Sequence, residues 1–316
     1  MHLLEANWLI NDCCNFKCFY CIKPRKNTTT GFPDIQQIAD SFNKSGRSWL
    51  IYITGGEPFL YPNLVELCKE LTKNHIISIN TNLFHNDIYR FAESIDPERV
   101  RNIHCSLHIQ EREKRNAVDD FIKKYRFVES KGFYTYASYV LHPFFLNRFK
   151  KDYEYFKSQG IILRPKVFRG KSSNYELPDM FPFDKIQRLL KKRYPDDYTE
   201  KQKTAILSYM EQSQIDGNFK IDHHEDDIKG RLCDVHQDKT FINGLPSFTG
   251  KHCMAGKDFI RLTPDGEAYR CYNSKLYLGN LFKGTMQLLD KPQICEAKKC
   301  ACPYIGYRHI AKEKPL

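Results

Sequence analysis

Leu4-Glu5-Ala6-Asn7-Trp8-Leu9-Ile10-Asn11 runs straight into Asp12-Cys13-Cys14-Asn15-Phe16-Lys17-Cys18-Phe19-Tyr20-Cys21, and this stretch decides how the chain is read. The first eight residues make a short, mostly apolar run of the length of one buried strand. The cysteines follow on the loop at that strand's C-terminal end, with the spacing Cys-x3-Cys-x2-Cys from Cys14 through Cys18 to Cys21. Three thiolates on one loop can hold a cubane iron–sulfur cluster. Such a cluster normally takes four cysteines, so three leave one iron with an open position.

Outward from this loop, short apolar runs alternate with amphipathic stretches as far as residue 168, the rhythm of strand-then-helix units in an α/β fold with a parallel sheet. Six units are expected, with strands at 4–11, 49–54, 76–81, 101–108, 133–141 and 161–168. Helices fill the gaps, among them 34–44, opening behind Pro33 and Asp34, and 63–73. Residues 171–250 lose the rhythm; they carry polar helices around 185–212 and the acidic loop His223-His224-Glu225-Asp226-Asp227. Adjacent ligands without helix or strand spacing rarely converge on one ion, so that loop reads as solvated. Beyond residue 250, runs at 259–263 and 268–272 flank Pro264-Asp265-Gly266, which reads as a hairpin.

A chain of 316 residues with 41% hydrophobic content has enough apolar surface for a sizeable core. No stretch approaches the apolar length of a membrane span, and the amino terminus lacks the marks of a signal peptide, so the cytoplasm is the expected location. Without an export signal, twelve cysteines point to metal rather than disulfides. The net charge of +11 invites a nucleic-acid reading. Its lysines and arginines are spread widely, however, and runs such as Lys123-Lys124 lie beside acids, as on a solvated helix face.

The cysteine loop closely resembles that of the radical S-adenosylmethionine superfamily, and the company it keeps strengthens the resemblance. Tyr20 stands where the family places an aromatic against the adenine, and Thr54-Gly55-Gly56-Glu57-Pro58 follows the second strand, where the family binds the methionyl amino group. Glycines let the backbone approach a ligand closely, and a carboxylate can accept from an ammonium. Asn80 and Asn82 share one face of the third strand. In the fourth, His104, Ser106 and His108 share the inner face while Cys105 and Leu107 turn to the helices; Ser106 matches a ribose-contacting position. The resemblance implies a partial (β/α)6 TIM-like barrel over 1–170, a 4Fe-4S cluster on Cys14, Cys18 and Cys21, and S-adenosylmethionine bound near Tyr20, Gly55 to Pro58, Asn82, Ser106 and His108. Cys13 is out of register and is not expected to be a ligand. A zinc site with a remote fourth ligand is the plainer alternative for the loop.

The distal cysteines resemble the start of an auxiliary-cluster module, with Cys253, Gly266 and Cys271 matching Cys-x9–15-Gly-x4-Cys. Cys295, Cys300 and Cys302 can complete a four-thiolate site; structural zinc is the alternative. The full SPASM cysteine run is missing, so the shorter twitch arrangement with one further 4Fe-4S cluster fits better over 251–316, with 171–250 as helical linker. In the family a 5′-deoxyadenosyl radical abstracts a hydrogen atom, and an auxiliary cluster can take the electron left on the substrate.

Arg164, Lys166 and Arg169 cluster at the sixth strand and suit a substrate with phosphate or carboxylate. Only thirteen residues precede Cys14, which tilts the expectation from peptide maturation (epimerisation or cross-linking) toward dehydrogenation of a carbohydrate or nucleoside, with a flavodoxin- or ferredoxin-type electron donor. An RNA modifier and a non-catalytic iron–sulfur protein are the other readings.

Overall fold

The computed structural model describes residues 3–18, 20–21, 33–168, 198–217, 241–242, 247–298 and 300. Six parallel strands run in sequence order: β1 (Leu4–Asn11), β2 (Trp49–Gly55), β3 (Ile76–Thr81), β4 (Val100–Ser106), β5 (Thr135–Leu141) and β6 (Leu163–Val167). Between them lie α1 (Ile35–Asn43), α2 (Leu64–Thr72), α3 (Asp87–Ser94), α4 (Ile109–Glu113), α5 (Val118–Ser130) and α6 (Phe149–Ser158). The start signal at Asp34 works as expected. Its carboxylate accepts from the amides of Gln36 and Gln37 at 2.9 and 3.3 Å and caps α1.

Strand alternation sorts the sheet into two unlike faces. Leu4, Ala6, Trp8 and Ile10 of β1 join Ile51, Ile53, Ile77, Ile79, Ile103 and Leu163 in one apolar core with Ile38, Phe42, Leu67 and Phe91 of the helices. The opposite face is polar: Ser78 donates to Asn102 Oδ1 at 2.8 Å, Tyr52 donates to Glu5, and His104 pairs with Ser138 at 2.6 Å. With the helical core on one face, the other becomes the inner wall of a curled sheet, the partial (β/α)6 barrel expected from the sequence.

Two features differ from the expectation. The fourth strand ends at Ser106, because His108 takes a left-handed conformation (φ 47°) that no strand can carry. The C-terminal strands also extend the barrel sheet itself. β8 (Phe259–Leu262) pairs parallel with β1, and β9 (Glu267–Tyr269) and β10 (Tyr277–Asn280) continue outward antiparallel, giving the order β10-β9-β8-β1-β2-β3-β4-β5-β6. Trp8 fastens the junction: its indole donates to the Thr263 carbonyl at 3.1 Å and its ring meets Phe282 edge-on. The β8–β9 turn is the expected hairpin, with Gly266 at φ +82°. A separate short pair joins β7 (His252–Cys253) to β11 (Gln293–Ile294).

Of the polar helices expected around 185–212, the described part is α7 (Glu200–Gly217), which packs by β6. The loop from His223 to Asp227 lies outside the described residues. Among those described, no helix is long and apolar enough to cross a membrane.

Candidate active site

Three strand ends meet at the cysteine loop. Cys18 is buried, Cys14 half-buried and Cys21 exposed, all three free of disulfides; the Cys21 amide donates to the Cys18 carbonyl at 3.1 Å in a tight turn. The Gly55-Gly56-Glu57 turn is bonded directly to the start of this loop. Gly56 N donates to Asn11 O at 3.0 Å, and Glu57 N to Cys13 O at 2.7 Å. A Cβ on Gly56 would lie 1.9 Å from the Cys13 carbonyl oxygen, so the approach requires glycine.

Glu57 is buried in this turn. Its side chain is 0% exposed, and it accepts from Thr81 Oγ1 at 2.6 Å, Asn82 N at 2.7 Å and Phe59 N at 3.2 Å. A carboxylate so engaged ties the turn to the end of β3. Burial raises the Glu57 pKa, opposed by the bonds from Thr81, Asn82 and Phe59. Pro58 opens the short 3-10 turn Pro58–Leu60 that continues away from the site.

Asn82 links the parts. Its Nδ2 donates to Asn15 Oδ1 at 2.7 Å and lies 4.0 Å from Cys14 Sγ, while its Oδ1 accepts from Phe84 N at 3.0 Å. The next residue, Leu83, is fully buried with φ 57°. Positive φ at Leu83 and His108, both non-glycine, puts backbone strain at two adjacent strand ends around one loop. Ser106 stands half-buried at the end of β4. Tyr20 is buried, its hydroxyl 2.7 Å from His108 Nδ1, and its ring stacks against His142. Burial, helped by the nearby Arg112, lowers the His108 pKa to about 4, so the imidazole is neutral at physiological pH.

Sequence reasoning missed the helix behind the loop. Glu111, Arg112 and Arg115 all touch the residues between Cys14 and Cys18, and Arg112 also donates to the Asn82 carbonyl. The i, i+1, i+4 charges after β4 look like a solvated face in the sequence; their burial comes from tertiary packing.

Arg164 and Lys166 lie on the inner face of β6. Arg164 is buried, its guanidinium 4.2 Å from the Tyr136 ring, and Lys166 is half-buried close enough to help lower the His108 pKa. Arg169 lies outside the described residues.

A second site lies at the C-terminal strands. Cys253, Cys271, Cys295 and Cys300 line one cavity of about 360 Å³, together with Arg270 and Asn273. Arg270 assembles it, donating to the carbonyls of Ala255 (3.1 Å), Ile294 (3.0 Å) and Gln293 (2.7 Å). Asn273 Nδ2 donates to Cys300 Sγ at 3.5 Å. Among the described residues, no three of His, Cys, Asp and Glu are grouped to hold a single metal ion. Cys302 lies outside them.

Residues 8–150 match the family model described as Radical SAM superfamily. A stretch of 68 residues is 38% identical to the GTP 3′,8-cyclase of Pseudomonas fluorescens (strain Pf0-1). That match covers 20% of this chain and 20% of the cyclase, a fifth of the relative's length. Native anSMEcpe with bound AdoMet and Kp18Cys peptide superposes with a TM-score of 0.58 at 17% identity, over 90% of this chain and 79% of that one. Streptococcus suis SuiB bound to S-adenosylmethionine gives 0.54 at 15% identity, over 89% and 64%. At these identities the two structures speak for the fold, a mixed α/β partial barrel.

Proposed function

We propose that the chain is a radical S-adenosylmethionine oxidoreductase that removes hydrogen from a substrate bearing an anionic group. The observation that carries the reading is the convergence on the cysteine loop of three strand ends: the glycine turn of β2 at Asn11 and Cys13, Asn82 after β3 at Cys14 and Asn15, and His108 after β4 at Tyr20. The donor set fits a cluster: three thiols on one loop that form no disulfide, with a neighbouring backbone turn that only glycine permits. When bound there, a 4Fe-4S cluster with S-adenosylmethionine on its open iron supplies one electron and a 5′-deoxyadenosyl radical. Asn82 orients the loop from below, the Gly55–Gly56 backbone leaves room for the methionyl end, and the Tyr20–His108 pair closes the side toward β5. Ser106, half-buried at its strand end, is suited to a ribose hydroxyl.

Lys166 gives the inner wall a cation near that mouth, which suits phosphate or carboxylate; Arg164, bonded to the Tyr134 hydroxyl ahead of β5, stands deeper on the same wall. Arg169 follows them in the sequence and belongs to the same proposal. The C-terminal cavity supports a second 4Fe-4S cluster held by Cys253, Cys271, Cys295 and one of Cys300 and Cys302. Zinc would draw four thiolates to about 2.3 Å from one point; a cavity of about 360 Å³ among them suits a larger occupant. Such a cluster can take the electron left on the substrate, making the net change a two-electron oxidation with a flavodoxin- or ferredoxin-type protein as reductant of the first site.

A carbohydrate or nucleoside is the substrate class we favour. A peptide is the second reading, because anSMEcpe of similar fold is seen with a bound peptide. Reduced, reconstituted chain is incubated with S-adenosylmethionine and deuterated sugar phosphates, nucleotides or peptides. Release of 5′-deoxyadenosine carrying deuterium from a sugar or nucleotide is the expected result. Deuterium from peptide alone selects the second reading, and no 5′-deoxyadenosine at all rejects the enzyme.

A further inference from the structure

Each of the three residues between Cys14 and Cys18 is held by α4 or the turn that follows it. Glu111 Oε2 accepts from Lys17 N at 2.8 Å, and Arg115 Nη2 donates to Asn15 O at 3.2 Å. The Phe16 ring lies between two guanidinium groups, Arg112 at 5.2 Å and Arg115 at 4.9 Å from its centroid. Asn82, whose carbonyl accepts from Arg112, closes the circuit on Asn15.

Arg112 is unlike an ordinary strut. It is 0% exposed, and the rings of Phe84 and Phe121 enclose it at 5.6 and 4.9 Å beside that of Phe16. Its Nε and Nη1 have no hydrogen-bond partner among the described residues, and the Asp120 carboxylate stands 3.8 Å from Nη1, itself bonded to Lys124 at 2.9 Å. Burial lowers its pKa to about 10, which leaves it charged at neutral pH. A buried, poorly compensated cation is costly, and an aliphatic side chain would fill the same space without that cost. Placed behind a loop of thiolates, the charge has a use: a cluster on three thiolates gains negative charge on reduction, and a cation in a low-dielectric surrounding favours that state.

We propose that Glu111, Arg112 and Arg115 are positioning residues that fix the spacing of the first two cluster thiolates, with the charge on Arg112 raising the reduction potential of the cluster. The proposal rests on the reading that Cys14, Cys18 and Cys21 hold that cluster. Glu111 acts in the opposite electrostatic sense, since its carboxylate is nearly buried against the same loop.

The test is a redox titration of the full, reconstituted chain, following the paramagnetic signal that changes when S-adenosylmethionine is added. Iron content and circular dichroism are checked for each variant. Arg112→Met should lower the reduced fraction at a fixed poise at least tenfold, equivalent to about 59 mV for a one-electron couple. Arg112→Lys should restore most of it, and Glu111→Gln should shift the potential upward. Opposite signs from two changes in one clamp cannot come from general loosening. A fully loaded Arg112→Met with unchanged potential overturns the proposal, as do equal shifts in the Met and Lys variants or a downward shift in Glu111→Gln. Should Arg112→Met fail to fold, the sign of the Glu111→Gln shift decides. If the wild-type chain assembles no cluster that responds to S-adenosylmethionine, the functional reading itself falls, an outcome separate from any difference between variants.

Discussion

A methyl group on Gly56 would overlap the Cys13 carbonyl at 1.9 Å, and both partners are backbone, so neither can turn away. Gly56→Ala should therefore cost about 3 kcal/mol, in the range of an overpacked core. The damage should fall on the cysteine loop first: a lowered Tm with markedly reduced iron uptake, read by calorimetry and iron analysis. His75 makes a different kind of prediction. It is buried with its Nδ1 facing the Trp49 amide at 3.4 Å, and burial, with Arg99 nearby, lowers its pKa from 6.5 to about 4. The unfolded chain thus binds more protons than the folded one between pH 4 and 6.5, so stability rises with pH there. The contribution, about 3 kcal/mol, is complete above pH 6.5 and is lost as pH falls toward 4. His75→Gln should flatten the dependence of the urea midpoint on pH across that window. Among individual residues, Gly56 was legible because a close backbone approach demands that residue type. The burial of Glu57 was not, since a carboxylate looks the same in a sequence whether it faces solvent or three donors that enclose it.

Secondary structure was legible where one period dominated. Strands β1 to β3 fall where the apolar runs are, and α1 opens at its capping aspartate. The end of β4 was not, because the left-handed turn at His108 carries no glycine to announce it. Nor was α4: five residues are too few to show a helical period, and their charges point to solvent on paper. The C-terminal elements were half legible. The hairpin at Gly266 could be read from its turn, but the two-residue strands β7 and β11, which bring Cys253 opposite Gln293, have no pattern at all. Their register rests on Arg270, whose three bonds tie Ala255, Gln293 and Ile294 together. Arg270→Gln removes most of that tie and leaves β1 to β6 untouched. Its expected effect is loss of about four of eight irons, with reductive cleavage of S-adenosylmethionine retained at the first site, measured by iron analysis beside 5′-deoxyadenosine release.

For the whole molecule, the decisive fact is that strands added to the edge of β1, the strand that delivers the first set of cysteines, carry Cys271 of the second set and stand beside the short β7–β11 pair that carries Cys253 and leads into Cys295. Sequence order hides this, since more than two hundred residues separate Trp8 from its partners Thr263 and Phe282. Metal loading and folding should then separate cleanly. Removing the ligand chemistry alone, as in Cys253→Ala with Cys271→Ala, deletes two small side chains and should leave a folded chain with about four irons instead of about eight. Removing residues 251–316 deletes β8 as well. That strips β1 of a parallel neighbour, exposes the Trp8 ring, and turns β1 into an unpaired apolar edge strand. The truncated chain should aggregate or unfold at temperatures where the double variant is intact, as size-exclusion chromatography and thermal denaturation would report. A truncated chain that stays monomeric and binds four irons as well as the double variant would show the C-terminal strands to be an appendage and not a structural part of the barrel.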